Sequence, residues 1–302
     1  MTESVFVLGP ALDPAALHDH CVRTGHDASA VRPIGRAFLP DYAPVFARRD
    51  GGAAHLLATP RRGSALAGAL FEVRDGGALF DEFDRTRGVG AARDVRTVLT
   101  ENGRAHRVLV QADRFFREGD EVAAPSKEEL ESIIRGLIRF GHDASPLRGA
   151  ALGRRVSTEP SSLFVYGTLR HGESRASCLD RHDPFEGGKG VVRGTVAGRL
   201  LDLGDYPAYV PTTERSPRVH GEVYTFGDLE EVFRDIDEIE DFHGYDAPGG
   251  EYVRALVKVD LDARERIAWT YVYAGDAAGH PIIASGDWTN RLAARPSIAA
   301  GA

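Results

Sequence analysis

The chain has 302 residues, of which 42% are hydrophobic and 27% are charged, a composition typical of soluble globular proteins with room for two domains. Its formal net charge of −8 argues against nucleic acid as the main partner. No run approaches the roughly 18 apolar residues of a membrane span, so no membrane association is expected. The two cysteines are too few for a disulfide framework or a cysteine metal site. The N-terminal stretch MTESVFVLGPALDP lacks the features of a secretory signal, so we expect a cytoplasmic location.

Short patterns from the first half of the chain recur in the same order in the second half. FVLGPAL (6–12) parallels FVYGTLR (164–170), and ALAGALFEV (65–73) parallels RVHGEVYTF (218–226). Three more pairs follow in order: LFDEFD (79–84) with DIDEIE (235–240), RDVRTVL (93–99) with EYVRALV (251–257), and VLVQA (108–112) with TYVYA (270–274). The offsets drift only between 153 and 162 residues, as loop insertions would produce. The sequence therefore predicts two tandem copies of one domain type.

The first copy is predicted to span residues 1–145. Its clearest helix lies in PSKEELESIIRGLIRFG (125–141), with Pro-Ser at the start and Gly at the end. The stretch that follows is rich in Ser, Pro, Gly and Arg and has no strong periodicity, so residues 146–160 are predicted to form a linker. The second copy then covers residues 161–302.

The second copy consists mainly of predicted strands. These lie in SLFVYG (162–167), GVVRGTVAGRLLDLG (190–204, one or two strands), VHGEVYTF (219–226, with its glycine at a close approach), YVRALVKVDL (252–261) and IAWTYVYAG (267–275). One clear helix, DLEEVFRDIDEIEDF (228–242), has one apolar face and begins with a predicted capping box of Asp228 and Glu231. Because strands dominate, an α+β fold built of small mixed barrels fits better than a doubly wound sheet.

The turn after the first strand of this copy is a candidate binding loop. Gly167 opens the turn, where a glycine can adopt positive φ and lets a ligand approach the backbone. The amides of Gly167, Thr168 and Leu169 could converge as a small anion-binding nest. A tight turn with no ligand explains the same pattern.

Three polar residues further along the copy are also candidates. Glu240 ends the predicted helix, where a carboxylate meets the negative end of the helix dipole at a cost of roughly 0.3–1 kcal/mol. Tyr252 and Arg254 lie two residues apart on a strand, so their side chains share one face and could contact a carboxylate. The alternatives are a solvated glutamate and a cross-strand polar pair.

Taken together, these motifs resemble one known family. VYGTLR, YPAYVP, VHGEVYTF, IDEIEDF, YVR, TYVY and SGDW occur in order between Ser161 and Trp288. In this combination the chain resembles the γ-glutamylcyclotransferase family, the AIG2-like proteins; YGTLR and the D-x-x-E of Asp237–Glu240 are the most specific parts. The resemblance implies a small mixed barrel with the substrate pocket inside it. It also implies Glu240 as the catalytic acid/base, Tyr252 as a pocket tyrosine, and as the substrate-binding loop Tyr166, Gly167, Thr168 and Leu169. Because Arg254 shares a strand face with Tyr252, we predict that it binds substrate as well.

The activity that the resemblance implies is an intramolecular cyclisation of the acyl-transfer type. It releases 5-oxoproline and a free amine from a γ-glutamyl amine, a γ-glutamyl peptide or a γ-glutamyl-protected metabolite, the last as a deprotection step in natural-product biosynthesis. No cofactor, metal or nucleophilic serine or cysteine is expected, because the substrate's own α-amine is the nucleophile. The alternative is a non-catalytic protein of the same fold that binds γ-glutamyl or amino-acid ligands.

The first copy departs from the family motifs. Leu8–Ala11 (LGPA) stands where the second copy has YGTL, and Pro10 has no N–H to donate to a ligand. Asp84 stands where Glu240 stands, and Asp94 stands opposite Tyr252. We predict that the first domain has lost cyclotransferase activity and supports the second; the alternative is an altered activity that uses Asp84.

Overall fold

The computed structural model describes residues 3–74, 77–154, 158–182, 191–262 and 264–291. Backbone contacts divide the chain into two compact units: Met1–Thr100 with Ala105–Glu159, and Glu101–Arg104 with Pro160–Ala302. Within the described ranges, no helix is long and apolar enough to cross a membrane.

The first unit contains a closed five-stranded barrel. Its strands are β1 (Glu3–Val7), β2 (Val31–Arg48), β3 (Ala54–Val73), β4 (Arg93–Thr100), β5 (Arg104–Gln111) and β6 (Glu121–Val122). The ring runs β1-β5-β4-β2-β3 and closes because β3 pairs with both β2 and β1, while β6 extends the sheet beside β2. Closure gives every strand of the ring two neighbours and so removes free sheet edges.

The second unit repeats this topology. Its strands are β7 (Ser162–Val165), β8 (Val192–Asp202), β9 (Pro207–Pro211), β10 (Arg218–Thr225), β11 (Tyr252–Leu261) and β12 (Arg264–Tyr273). The ring β7-β12-β11-β8-β10 closes through the pairing of β10 with β8, and β9 extends the sheet beside β8. The predicted α+β fold of two tandem mixed barrels is confirmed.

The two barrels also share fine details of packing. β1 runs antiparallel to β3 and parallel to β5, and β7 runs antiparallel to β10 and parallel to β12. A Cβ added at Gly68 would lie 2.5 Å from Cζ of Phe6, and one added at Gly221 would lie 2.5 Å from Cζ of Phe164. The close approach predicted at the glycine of VHGEVYTF is therefore present, and the first barrel has the same ring-on-glycine contact.

Helices cover the outside of each barrel. They are α1 (Pro14–Thr24), α2 (Ala78–Arg85), α3 (Lys127–Arg139) and α4 (Ser145–Ala151) in the first unit, and α5 (Ser177–Asp180) and α6 (Glu230–Ile239) in the second. The helix predicted for 125–141 is α3; the Ser126 hydroxyl caps it by accepting from the Glu129 amide at 3.1 Å. Gly141, with φ of 75°, follows its last turn.

The helix predicted for 228–242 is α6. At its N-terminus, Asp228 Oδ1 accepts from the amide of Glu230 at 3.0 Å. The aspartate therefore forms a local Asx turn where the helix begins.

The segment predicted as a linker is partly folded. Its first residues form α4, which begins with Pro146 in the first turn, and Leu147 is buried in the core of the first unit. The backbone contacts place the boundary between the units after Glu159. Alanines and a proline in the first turn favour a short helix here, which composition alone did not reveal. Residues 155–157 lie outside the described part of the chain.

One strand of the second barrel was not predicted. β9 (Pro207–Pro211) has proline at both ends, which the sequence reading did not interpret as a strand. Proline is compatible with an edge strand because it need not donate to a neighbour there, and among the described strands β9 pairs with β8 alone.

β1 illustrates why short apolar runs form the walls of these barrels. Phe6 and Leu8 point into the barrel core, whereas Val5 and Val7 pack against the core under the helices. Both faces are buried from Val5 to Leu8, so this stretch is apolar instead of alternating. Each such side chain contributes about 1.5–3 kcal/mol on burial.

Candidate active site

The turn that follows β7 is held in shape by its own backbone. The Gly167 carbonyl accepts from the Arg170 amide at 3.1 Å, and the Thr168 carbonyl accepts from the Arg175 amide at 2.9 Å. The φ of Gly167 lies outside the left-handed region, so the positive φ that a glycine could adopt here is not used. Instead, a Cβ there would lie 2.6 Å from Cγ of Pro207. Glycine is required at this position because β9 passes so close.

A buried ion-pair cluster anchors the far end of the turn. The Arg170 guanidinium lies 2.6 Å from Oδ1 of Asp287 and 3.5 Å from the carboxylate of Glu222. Glu222 Oε2 in turn accepts from the His171 amide at 2.8 Å and from the Tyr224 hydroxyl at 3.1 Å. The arginine of YGTLR and the aspartate of SGDW therefore fix the loop.

Glu240 is placed by the way in which α6 ends. Asp241 adopts a left-handed conformation with φ of 54°, and the Phe242 amide donates to the Asp237 carbonyl at 2.8 Å. These are the features of a Schellman motif, with aspartate in place of the usual glycine. Glu240 is the C-cap residue of the helix.

A cavity of about 100 Å³ lies between this turn, the end of α6 and the starts of β9 and β11. Its lining residues are Phe164, Val165, Tyr166, Gly167, Thr168, Leu169, Arg175, Tyr206, Pro207, Ile239, Glu240, Glu251, Tyr252 and Tyr271. The fold therefore brings together six of the predicted site residues: Tyr166, Gly167, Thr168, Leu169, Glu240 and Tyr252.

The Glu240 carboxylate is unusual among the acidic side chains of this unit. It is partly buried, and among the described residues it makes no hydrogen bond and no ion pair. Burial raises its pKa to about 7; Arg175 opposes this shift, and the nearby Glu251 carboxylate adds to it. A carboxyl with such a pKa can both accept and donate a proton near neutral pH.

Tyrosines form much of the cavity wall. The Tyr252 hydroxyl donates to the Pro207 carbonyl at 3.0 Å, and the Tyr166 hydroxyl donates to the Tyr271 carbonyl at 3.0 Å. Burial raises the pKa of the Tyr252 hydroxyl, so it remains neutral. These bonds fix both rings against the cavity.

Four polar lining residues were not predicted: Arg175, Tyr206, Glu251 and Tyr271. The Tyr206 hydroxyl donates to both Glu251 oxygens, at 3.0 and 3.1 Å, and this carboxylate raises the pKa of Tyr206. The Arg175 guanidinium lies over the Tyr206 ring at 5.8 Å. Tyr206 is the first residue of the motif YPAYVP, and Glu251 directly precedes the motif YVR, so the motifs themselves were the available signal.

Arg254 does not line the cavity. Its Nε lies 3.0 Å from Oδ1 of Asp237, and the Tyr271 hydroxyl donates to the same oxygen at 2.7 Å. The guanidinium also packs over the rings of Phe233 and Phe242, at 4.5 and 4.9 Å. Alternation along β11 correctly indicated a shared face with Tyr252, but α6 covers that face at Arg254. The predicted substrate contact is thus replaced by a link between β11 and the helix that carries Glu240.

Comparisons with known proteins match the part of the chain that contains this cavity. The sequence profile of the family described as γ-glutamyl cyclotransferase, AIG2-like, matches residues 163–290. A putative γ-glutamylcyclotransferase of Vibrio cholerae serotype O1 is 35% identical over 130 residues, which cover 43% of this chain and 96% of that protein. The chain belongs to the γ-glutamylcyclotransferase family.

Two further comparisons cover different shares of the chain. The γ-L-glutamyl-butirosin B γ-glutamyl cyclotransferase of Niallia circulans is 32% identical over 122 residues, covering 38% of this chain and 68% of that protein. Among solved structures, YkqA of Bacillus subtilis covers 91% of this chain and 85% of its own, with 13% identity and a TM-score of 0.35. The family match includes every predicted site residue.

In the first barrel, an arginine occupies the corresponding place. Nη1 of Arg114 donates to the Leu56 carbonyl at 3.1 Å, and Nε donates to Oδ2 of Asp84 at 2.9 Å. A Cβ added at Gly9 would lie 2.7 Å from Nη1. Arg114 and Asp84 are each 1% exposed.

The contacts of Arg114 coincide with three family positions of the second barrel. The parallel glycines Gly68 and Gly221 pair with Ala37 of β2 and Gly194 of β8. Eight paired residues further along each strand, with the unpaired bulge residue of β2 left out, the partners are Leu56 in the first barrel and Pro207 in the second, so these two residues are equivalent. The sequence parallels make the other two contacts, at Gly9 and Asp84, equivalent to Gly167 and Glu240. Side-chain atoms of the first barrel therefore fill the space that is a cavity in the second.

Metal ligands are not grouped in the parts of the chain that the structure describes. There, no set of three or more His, Cys, Asp or Glu side chains is placed to hold a metal ion.

Proposed function

We propose that the second barrel is the active site of a γ-glutamylcyclotransferase. Its substrates are γ-glutamyl amines, peptides or γ-glutamyl-protected metabolites, and its products are 5-oxoproline and the free amine. We place this activity in the cytoplasm. The butirosin-directed relative supports a deprotection step in biosynthesis as one setting for it.

The reaction requires one proton shuttle and a folded substrate. The α-amine nitrogen attacks the γ-carbonyl carbon, a new C–N bond closes the five-membered ring, and the original amide C–N bond breaks. Glu240 takes the proton that the attacking amine loses and returns it to the leaving amine, so no proton is gained or lost overall. The amides of Gly167, Thr168 and Leu169 hold the glutamyl end, and ring closure gains from proximity.

A single observation carries this proposal: the cavity contains a carboxylate with a pKa of about 7 that makes no bond within the described structure. A binding protein for an anionic donor would gain nothing from such a group, because its ionised form repels the donor. A proton shuttle needs this pKa. Charge from Glu251 helps to keep the pKa high.

We further propose that the first barrel is not catalytic. Arg114 engages the Asp84 carboxylate through two nitrogens and packs against Gly9. The carboxylate is therefore committed to a structural ion pair, and the space that a substrate would need is filled.

The test is 5-oxoproline release by the purified full chain from a panel of γ-glutamyl amides and dipeptides. Glu240→Gln removes the proton shuttle and keeps the shape, so we expect kcat to fall by about 100- to 10,000-fold. The matched variant is Asp84→Asn, assayed at a temperature at which it remains folded; we expect its kcat to be unchanged.

Two outcomes would overturn the proposal. If Asp84→Asn, and not Glu240→Gln, abolished release, catalysis would belong to the first barrel. If donors bound tightly to the natural protein without turnover, the chain would be a γ-glutamyl-binding protein of this fold.

A further inference from the structure

The Glu240 carboxylate has no bond of its own that would hold it in the cavity. Among the described residues, this side chain makes no hydrogen bond and no ion pair. Reactive side chains are usually held in place by hydrogen bonds from neighbouring groups. The position of this carboxylate therefore depends on the backbone that carries it, which is the turn at the end of α6.

Arg254 holds this turn on the side of the helix. Its Nε lies 3.0 Å from Oδ1 of Asp237, three residues before Glu240, and its guanidinium packs over the Phe233 ring at 4.5 Å. The Asp237 carbonyl accepts from the Phe242 amide at 2.8 Å. Asp237 thus contacts the guanidinium through its side chain and closes the turn around Glu240 through its backbone.

The same guanidinium also contacts the chain that leaves the turn. It lies 4.9 Å from the centre of the Phe242 ring, two residues after Glu240, and 5.9 Å from the centre of the Tyr245 ring. Cations are attracted to aromatic faces at such distances, most strongly when they are shielded from water. Arg254 is only 1% exposed. One buried side chain therefore contacts the chain on both sides of Glu240.

Arg254 is itself fixed by the wall of the barrel. It lies on β11 opposite Tyr271 of β12, and the Trp269 ring lies 5.5 Å from its guanidinium. The Tyr271 hydroxyl donates to the same Asp237 oxygen at 2.7 Å. The turn that carries Glu240 is thus tied to two neighbouring strands as well as to its own helix.

We propose that Arg254 is a positioning residue for Glu240: by holding the chain on both sides, its guanidinium sets where the carboxylate lies relative to the binding loop. Arg254 does not line the cavity, so it acts without touching substrate. Misplacing a reacting group by about 1 Å can cost roughly 100-fold in rate. This inference rests on the proposed cyclotransferase activity and adds to it a residue that acts through Glu240.

The test measures 5-oxoproline release by the full chain from the donor of the panel that the natural enzyme turns over fastest. Each rate is divided by the folded fraction at the assay temperature, so that a loss of stability alone does not lower it. Arg254→Lys keeps the charge but loses the planar group that contacts Asp237 and the rings together. We expect kcat to fall by about 10- to 100-fold and KM to stay within about twofold of the natural value, because only the placement of Glu240 changes.

A double-mutant cycle separates positioning from any other role of Arg254. In the Glu240→Gln background there is no carboxylate to place, so adding Arg254→Lys should lower kcat by less than about twofold. Equal falls in the two backgrounds would overturn the inference, because Arg254 would then act on the rate without Glu240.

Phe242→Leu is a milder variant that keeps an apolar side chain after the turn and removes one ring from the guanidinium. We expect kcat to fall by about three- to tenfold with KM unchanged. The matched control is Phe80→Leu, the same substitution in α2 of the first unit, where the ring packs on Phe71. Its kcat per folded molecule should equal that of the natural enzyme.

The failures are distinguishable. If the natural enzyme releases 5-oxoproline and both Arg254→Lys and Phe242→Leu retain its kcat, this inference is wrong and the proposed function stands. A rise in KM with kcat unchanged would also overturn the inference, because Arg254 would then act on binding. No release by the natural enzyme from any donor of the panel would overturn the proposed function, and this inference with it.

Discussion

The two barrels place different side chains in the same position of one architecture. Each has a glycine after its first strand and a carboxylate at or near the end of a helix. In the first barrel Asp84 is joined to Arg114, and both are buried. In the second barrel Glu240 lines a cavity and has no such partner among the described residues. The fold alone therefore does not create a site, because in the first barrel one arginine side chain fills the space that is a cavity in the second.

The largest predicted effect on stability comes from breaking the ion pair of the first barrel. Asp84→Asn leaves the Arg114 guanidinium buried without a counter-charge. We expect the free energy of unfolding to fall by about 3–5 kcal/mol. Urea denaturation of the full chain at pH 7 measures this loss.

A paired replacement is the control for that experiment. Asp84→Leu combined with Arg114→Met removes both charges and keeps much of the volume, and such exchanges are often neutral or stabilising. We expect the double variant to recover most of the lost stability. A double variant as unstable as Asp84→Asn would show that the pair does more than neutralise charge.

The matching change in the second barrel, Glu240→Gln, is expected to stabilise the folded protein. Glu240 binds its proton more tightly in the folded state than in the unfolded state. The free energy of unfolding therefore falls as the pH rises from 4.5 towards 7, and the full loss is present above about pH 7. Glu240→Gln should therefore be more stable than the natural protein at pH 8, on the order of 1–3 kcal/mol. The gain should disappear as the pH falls below 4.5, the ordinary value of the group.

Thermal or urea unfolding at pH 8 and at pH 4 tests whether Glu240→Gln is more stable than the natural protein at the higher pH and loses this advantage at the lower. Glu238→Gln, at an exposed glutamate of the same helix, is the matched control and should show no such gain. Equal stability of Glu240→Gln and the natural protein at pH 8 would contradict the raised pKa.

The same pKa predicts how the rate depends on pH. If the ionised carboxylate is the base, kcat rises with pH through about 7, by about tenfold per pH unit below the pKa. The Asp84→Asn variant should show the same dependence of kcat on pH as the natural enzyme, because no group of the first barrel takes part in the proton transfer. A profile that is flat between pH 5 and pH 8 would remove Glu240 from the rate-determining proton transfer.

Local sequence patterns were sufficient for part of this site. Gly167 follows a strand, and Glu240 ends an amphipathic helix, so the loop and the carboxylate could be predicted from neighbouring residues. Arg175 could not, because its place in the wall depends on how the chain folds back after the loop. Arg254 shows the limit of alternation, which gives the face of a strand but not what covers that face.

The ion pair that fills the first barrel could not be predicted from the sequence, for a related reason. Asp84 and Arg114 are 30 residues apart and come from different elements, so nothing local indicates their ion pair. The substitution of Asp84 for Glu240 was visible. Its consequence was not, because the shorter carboxylate matters only once an arginine reaches it.

The smallest predicted effect concerns a backbone carbonyl that accepts a side-chain hydrogen bond in each barrel, from a different donor in each. Arg114 donates to the Leu56 carbonyl, and the Tyr252 hydroxyl donates to the equivalent Pro207 carbonyl. Tyr252→Phe removes one neutral hydrogen bond beside a cavity that water can enter, so we expect a loss of about 0.5–1 kcal/mol in stability. Because that hydroxyl points at a carbonyl and stays neutral, kcat should change far less than in Glu240→Gln. Thermal unfolding and 5-oxoproline release measure both effects in one variant. A fall in kcat comparable to that of Glu240→Gln would mean that the hydroxyl leaves Pro207 during the reaction, and the contrast between the barrels would then rest on two groups instead of one.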